Sequence, residues 1–263
     1  MPQGGPSWAL RRLRIALGTW VAIQAVADTE AVASAALEAA FAAVSEVGRR
    51  MHPSGEASDL ARICSAALGL RVALHPCTWE VLRLAQRVHF HSDGVFDPSL
   101  PVRPGSLTDL ELSPESAPDP PWALCRAPLA LDLGGIAKGY AVDRGVEALI
   151  AAGCTAGLVN AGGDLRLFGA LRDTFLLRHA DGRCEPLVLD SIALAVSDAD
   201  ARQRPPEHRG YYRRAGARRP TCRYAAVLAP TAAVADALTK CVLLAPTECA
   251  QRTLRALGGR QVR

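Results

Sequence analysis

No two of the eight cysteines stand in a Cys-x-x-Cys spacing, which removes the usual signature of a zinc knuckle or a dithiol redox centre. Cys64, Cys77, Cys125, Cys154, Cys184, Cys222, Cys241 and Cys249 are scattered, several of them in apolar surroundings where a free thiol behaves as a small hydrophobe. That usage points to a reducing compartment rather than to a disulfide framework. No stretch reads as a transmembrane span, and Arg11, Arg12 and Arg14 run into the first strand without a separate apolar segment. No export signal is therefore expected, and a cytoplasmic location is. There is no internal repeat. Nor does either charge dominate, since the net charge is +4 and much of the excess comes from eight arginines between Arg202 and Arg223. Aromatic interleaving there is limited to Tyr211, Tyr212 and Tyr224, so a solvated loop is expected and nucleic-acid binding is not.

A chain of 263 residues, 49% hydrophobic, can bury a substantial core. The pattern predicts a strand near 13–27, helices near 30–48, 58–67 and 77–91, and a proline-rich surface connection over 98–121. A strand at 128–132, a helix at 136–151 and a run of strands between 156 and 197 follow. An arginine-rich loop over 202–221, a strand at 223–228, a helix at 231–245 and a short helical or frayed tail complete the chain. Helices gathered in the first half and strands in the second indicate an α+β fold with a mixed or antiparallel sheet core.

The densest chemical signal is LDLGGIAKGYAVDRGVEALI, residues 131–150. An apolar run meets Asp132, turns on Gly134 and Gly135, and opens a helix carrying Lys138. Glycines let the backbone turn sharply and approach a ligand, while a helix start offers amide N–H groups and a positive dipole end. That arrangement suits a phosphorylated ligand, although a glycine pair before a helix also serves as an ordinary tight connection. A second glycine pair lies in GLVNAGGDLRLFG, residues 157–169, where Asp164 reads more simply as a turn residue than as a catalyst. The third element is PTAAVADALTKCVLLAP, residues 230–246, a helix with Thr231 as N-cap and only Asp236 and Lys240 charged. Its apolar residues cover most of the circumference, so it is expected to be buried, and buried charges need partners or ions. Four residues apart, the two form either an i,i+4 ion pair or part of a metal site.

Together these segments resemble the FAD:protein FMN transferase family, the ApbE-type flavin transferases. RIALGTWVAIQA (14–25) looks like its opening strand, and MHPSGEASDLARIC (51–64) is similar to its methionine-led loop. SDGVFDPSL (92–100) looks like its Gly-x-Phe-Asp motif, LDLGGIAKGYAVD is the most diagnostic stretch, and VNAGGDLR and ADALTK complete the order. The resemblance spans nearly the whole chain and implies one ApbE-like domain, or two interleaved lobes. It implies an enzyme that splits the pyrophosphate of FAD with Mg²⁺, releases AMP and transfers FMN to a Ser or Thr hydroxyl of another protein. Carried over by position, Asp236 is the carboxylate metal ligand and Gly135 offers a backbone oxygen, with Lys240 at the third metal position. Asp132 and Lys138 fall at flavin-nucleotide contacts, with Lys138 stabilising charge on the phosphate. Leu17, Ser54, Val95, Phe96 and Asp97 border the same ligand, and His208 is the candidate general base.

The chain departs from that pattern at three places. Lys240 stands where the family usually has Thr, and a protonated ammonium cannot ligate Mg²⁺, so it either shrinks the metal site or replaces the cation outright. Ser54 stands where an aromatic stacking platform is common. The family's histidine segment before the last strand gives way to EHRGYYRRAGARRPTC (207–222), where His208 supplies the only aligned histidine and Tyr211 or Tyr212 an aromatic face. Simpler roles also exist, with Phe96 packing in the core and Asp97 stabilising a turn before Pro98. Three functions remain open: an FMN transferase, an FAD hydrolase giving FMN and AMP, and a non-catalytic flavin-binding protein. For the transferase, Asp236→Ala is expected to abolish transfer and leave the fold intact.

Overall fold

The computed structural model describes residues 7–55, 57–116, 120–179, 181–199 and 222–262. Its frame is a seven-stranded antiparallel sheet. The strands are β1 (Trp8–Ala16), β2 (Thr19–Ala27), β6 (Ala156–Ala161), β7 (Asp164–Gly169), β10 (Ala193–Asp198), β11 (Tyr224–Ala229) and β12 (Arg260–Val262), which lie side by side in that order. A smaller sheet of β3 (Val72–Ala73), β5 (Trp122–Cys125) and β4 (Leu110–Leu112) and a hairpin of β8 (Arg172–Arg178) and β9 (Cys184–Asp190) complete the strands. Helices α1 (Glu30–Arg50), α4 (Ala137–Ala151) and α5 (Ala232–Leu244) cover one face of the large sheet. Shorter helices α2 (Asp59–Ser65), α3 (Pro76–His91) and α6 (Thr247–Ala256) surround them. This is the expected α+β architecture.

The central strands are buried on both sides, which explains why they read as apolar runs rather than as alternating patterns. Val159 and Ala161 point into the main core beneath the helices. Leu158, Leu165, Leu167 and Leu194 point the other way and pack against Leu177 and Leu189 of the β8–β9 hairpin. Helix α1 is long and apolar enough to cross a membrane by length and composition. It lies on β1, β2 and α4, with Ala33, Leu37, Ala40, Phe41 and Val44 buried there.

Four local outcomes differ from expectation. The single strand expected at 13–27 is a tight hairpin, in which Leu17 (φ 53°) and Gly18 (φ 69°) make the turn and Ala16 faces Thr19. A leucine in left-handed backbone is a weak turn signal, because the region is disfavoured for side chains. The strand expected at 128–132 is reduced to one bridge, Ser99 to Leu131. The proline-rich stretch is exposed at Pro101–Pro104 but sends Leu107 and Leu110 into the core and contributes β4. The tail is helical, as α6, and then returns as β12 to pair with β11.

Candidate active site

Helices α4 and α5 cross almost in contact. A methyl group placed on Gly139 would lie 2.2 Å from the carbonyl oxygen of Ala232, so only glycine fits and the two helix starts share one space. Asp143, one turn further along α4, reaches across and accepts hydrogen bonds from the amides of Ala232 (2.9 Å) and Ala233 (2.8 Å). Thr231 accepts from Val234 N at 3.4 Å, so the first three amides of α5 are satisfied by two side chains. Arg166 of β7 donates to Asp143 at 2.9 Å. Burial pushes the Asp143 carboxyl above its ordinary range despite these donors.

Two ion pairs, one of them buried, lie around this crossing. Lys138, near the start of α4, donates to Asp164 at the start of β7. Lys240 of α5 donates to Asp236 one turn earlier and to Ser197 of β10 at 3.1 Å. The second oxygen of Asp236 accepts from Gly139 N at 3.1 Å, and Ser197 Oγ lies 2.7 Å from Thr239 Oγ1. Asp164 and Asp236 are wholly buried and Lys240 nearly so, whereas the Lys138 side chain is 29% exposed. Burial raises the cost of charge on Asp236, but Lys240, Lys138 and the Gly139 amide outweigh it and hold the carboxyl below its usual range. Asp164 goes the other way: burial, reinforced by the charge of Asp236, pushes it up to about 6 against the pull of Lys138 and Lys240. Its Oδ1 is buried without a hydrogen-bond partner.

The remaining expected positions divide into two groups. Gly135 and Phe96 sit with Lys240, since a methyl group on Gly135 would lie 3.4 Å from Lys240 Cε and 3.6 Å from Phe96 Cε2. Phe96 is itself a core residue. Val95 packs against the cluster of Ala245, Cys249 and Ala250, and Asp97 accepts from Ser99 N at 2.9 Å, the turn role expected before Pro98. Leu17 borders a separate cleft of about 640 Å³ with Ser45, Gly48, Arg49 and His52. Ser54 lies on the adjoining loop, its amide donating to His52 Nδ1 at 3.3 Å. Asp132 accepts from Gly134 N at 2.7 Å, which makes it a brace of the glycine turn. The amides of Ile136 and Ala137 both donate to Leu133 O. With Gly139 N committed to Asp236, the start of α4 therefore offers fewer free amides than its sequence suggested. His208 lies outside the described residues.

These donors do not fit Mg²⁺. The ion needs oxygen ligands in near-octahedral array, but the side chain standing at Asp236 Oδ1 is the Lys240 ammonium, which donates hydrogen bonds and cannot ligate. Among the described residues, no three His, Cys, Asp or Glu side chains converge as a metal-binding group. In the structure Asp236 and Lys240 form the i,i+4 ion pair.

The ApbE family matches the sequence over residues 17–110 and 104–194, more than half its length. The chain belongs to the ApbE family. The fold agrees with solved structures, each 18% identical in sequence. The ApbE protein of Thermotoga maritima superposes with a TM-score of 0.77 over 97% of this chain and 97% of its own. Vibrio cholerae flavin transferase ApbE gives 0.74 over 97% and 93%. The apo form of Pseudomonas stutzeri flavinyl transferase ApbE gives 0.73 over 95% and 88%. No curated protein matches the chain. Within this ApbE member, sequence reasoning missed Asp143 and Ser197 and undervalued Asp164. The available signal for Asp143 was an acidic residue among the apolar positions of the helix's buried face.

Proposed function

We propose that this ApbE protein binds FAD and transfers its FMN half to a Ser or Thr hydroxyl of an acceptor protein, releasing AMP. Family membership supplies the prior, and one observation carries it to particular residues. The partly exposed Lys138 is held by Asp164 at a helix start beside the Gly134–Gly135 turn. A partly exposed ammonium at a helix N-terminus attracts phosphate oxygens. In the transfer step the acceptor oxygen attacks the FMN phosphorus and the bond from that phosphorus to the AMP oxygen breaks. The hydroxyl proton passes to a base, for which His208 remains the candidate, and AMP departs. Lys138 neutralises charge gathering on the phosphoryl oxygens, a role that preorganised cations fill well in a partly desolvated site. The resemblance implies Mg²⁺ at Asp236, but the Lys240 ammonium stands on that carboxylate and does not fit the ion's oxygen shell.

A second reading, flavin-nucleotide binding without turnover, is favoured by one specific feature. Both lysines are already paired within the protein, so the site carries little unbalanced positive charge to stabilise a transition state. Incubating the protein with FAD and a candidate acceptor domain, while following AMP and acceptor mass, separates the readings. AMP with an FMN-sized mass gain supports transfer, AMP without it indicates hydrolysis, and FAD binding without AMP supports the binding protein.

A further inference from the structure

We propose that the Lys240 ammonium is the resident cation of this site, so that FAD binds to this chain without any divalent metal. The inference rests on the proposed flavin-nucleotide site and concerns what neutralises the phosphates there. The Lys240 side chain occupies the space between the glycine turn and Asp236. Its Cε and Cγ would lie 3.4 and 3.7 Å from a methyl group on Gly135, and its Nζ rests on Asp236 and on Ser197 Oγ. A divalent ion taking the place of Nζ on Asp236 Oδ1 would have to expel this side chain. The ammonium would then lose a buried carboxylate, a costly exchange in a low-dielectric site.

The donor arithmetic points to an anionic ligand. An ammonium carries three N–H donors, and Asp236 and Ser197 take two. The third has no acceptor among the described residues, although 93% of the residue is shielded from solvent. Ser197 is fixed in turn by Thr239, and Thr239 Oγ1 donates to Asp236 O at 2.6 Å. The ammonium is therefore held by a network that spans two elements, α5 and β10. A phosphate oxygen is the chemical partner that the remaining donor fits, since charge-assisted bonds from ammonium to phosphate are short and strong.

The test combines FAD binding, followed by flavin fluorescence, with calorimetric titration of Mg²⁺ into the purified full-length protein. Wild type is expected to bind FAD equally in EDTA and in Mg²⁺ and to give no heat of Mg²⁺ binding. Lys240→Met, which keeps the bulk and removes the charge, is expected to weaken FAD at least about tenfold, the worth of one charge-assisted hydrogen bond. Lys240→Thr, which frees Asp236 and adds an oxygen, is expected to gain Mg²⁺ uptake and Mg²⁺-dependent FAD binding. FAD binding by wild type that EDTA weakens about tenfold or more, or Mg²⁺ uptake by wild type that Asp236→Asn removes, overturns the inference and leaves the flavin site standing. Failure of wild type to bind FAD in either buffer overturns the flavin-site reading, and the inference with it. If Lys240→Met or Lys240→Thr does not fold, the wild-type comparison still decides.

Discussion

Replacing Asp143 with alanine should cost more than any other single carboxylate truncation on α4. The side chain accepts from two backbone amides at the start of α5 and from Arg166, and the residue is 4% exposed. Its removal leaves buried amides without acceptors, each worth about 1–3 kcal/mol, and strips Arg166 of its counter-ion. Breaking a buried, hydrogen-bonded charge pair from one side costs about 3–5 kcal/mol, which sets the scale for the sum because the two costs overlap. For a chain of this size, about 4 kcal/mol corresponds to a fall in Tm of roughly 10 °C.

Asp143→Asn should cost less than Asp143→Ala. Burial already disfavours the ionised form, and the amide keeps an acceptor oxygen for one of the two N–H groups. Urea denaturation and thermal melts of wild type and both variants supply the comparison. Glu147→Ala serves as the control, since its ion pair with Arg144 is half-exposed and should be worth less than about 1 kcal/mol. If Asp143→Ala lies within about 1 kcal/mol of wild type, below the cost of even one orphaned buried amide, then Asp143 does not hold the start of α5.

Gly139→Ala should destabilise or misfold the protein, because its methyl group would meet the Ala232 backbone at 2.2 Å; recovery of a native melt would disprove the tight crossing. Asp236→Ala leaves Lys240 as a buried ammonium without its carboxylate and should cost about 3–5 kcal/mol, not the few tenths of an exposed i,i+4 pair. This revises the expectation that the variant keeps an intact fold. A lost transfer activity therefore needs a melt beside it, and Asp236→Ala/Lys240→Met should be more stable than Asp236→Ala alone. Asp164 takes up its proton more readily folded than unfolded, its carboxyl being raised to about 6 from an ordinary value of 3.8. Its contribution to stability is thus fully present below 3.8 and lost as pH rises through 6. The stability of wild type relative to Asp164→Asn should accordingly fall between about pH 4 and pH 6, and a flat difference in paired denaturation curves would refute the shift.

Much of the helical frame is legible from local signals. Thr231 caps α5 as its sequence suggests, and the apolar periodicity of residues 136–151 returns as α4. The misses have physical causes. Leu17 takes a positive φ that sequence would assign to glycine, so the β1–β2 hairpin reads as one strand. Arg260–Val262 pairs with Ala226–Leu228 of β11, distant in sequence, which no local pattern announces. The Gly162–Gly163 turn (φ 60° and 100°) is visible, but it draws attention to turn chemistry at Asp164. Burial against Lys138 arises only when α4 is laid on β7. The i,i+4 spacing of Asp236 and Lys240 made the pair available, whereas Ser197 is brought to it across forty residues by sheet packing.

The placement of charge in this site follows from how its elements are stacked. Asp164 begins β7, Asp236 lies on α5, and Lys138 and Gly139 sit at the start of α4, so three elements each contribute to one small volume. A fully ionised quartet of Lys138, Lys240, Asp164 and Asp236 is neutral. With Asp164 protonated, it carries one positive charge. Because only Lys138 reaches solvent appreciably, the surplus charge is available where a ligand would enter, while Lys240 and Asp236 form the fixed wall behind it. A phosphate that binds Lys138 must compete with Asp164. The anion Lys138 already holds is thus the one whose proton affinity burial has raised, so protonating Asp164 and docking a phosphate favour each other. FAD affinity should therefore increase as pH falls from 7 toward 5, and Asp164→Asn, which mimics the protonated carboxyl, should bind FAD tightly at both values. Equal pH sensitivity in wild type and Asp164→Asn would remove Asp164 from control of Lys138.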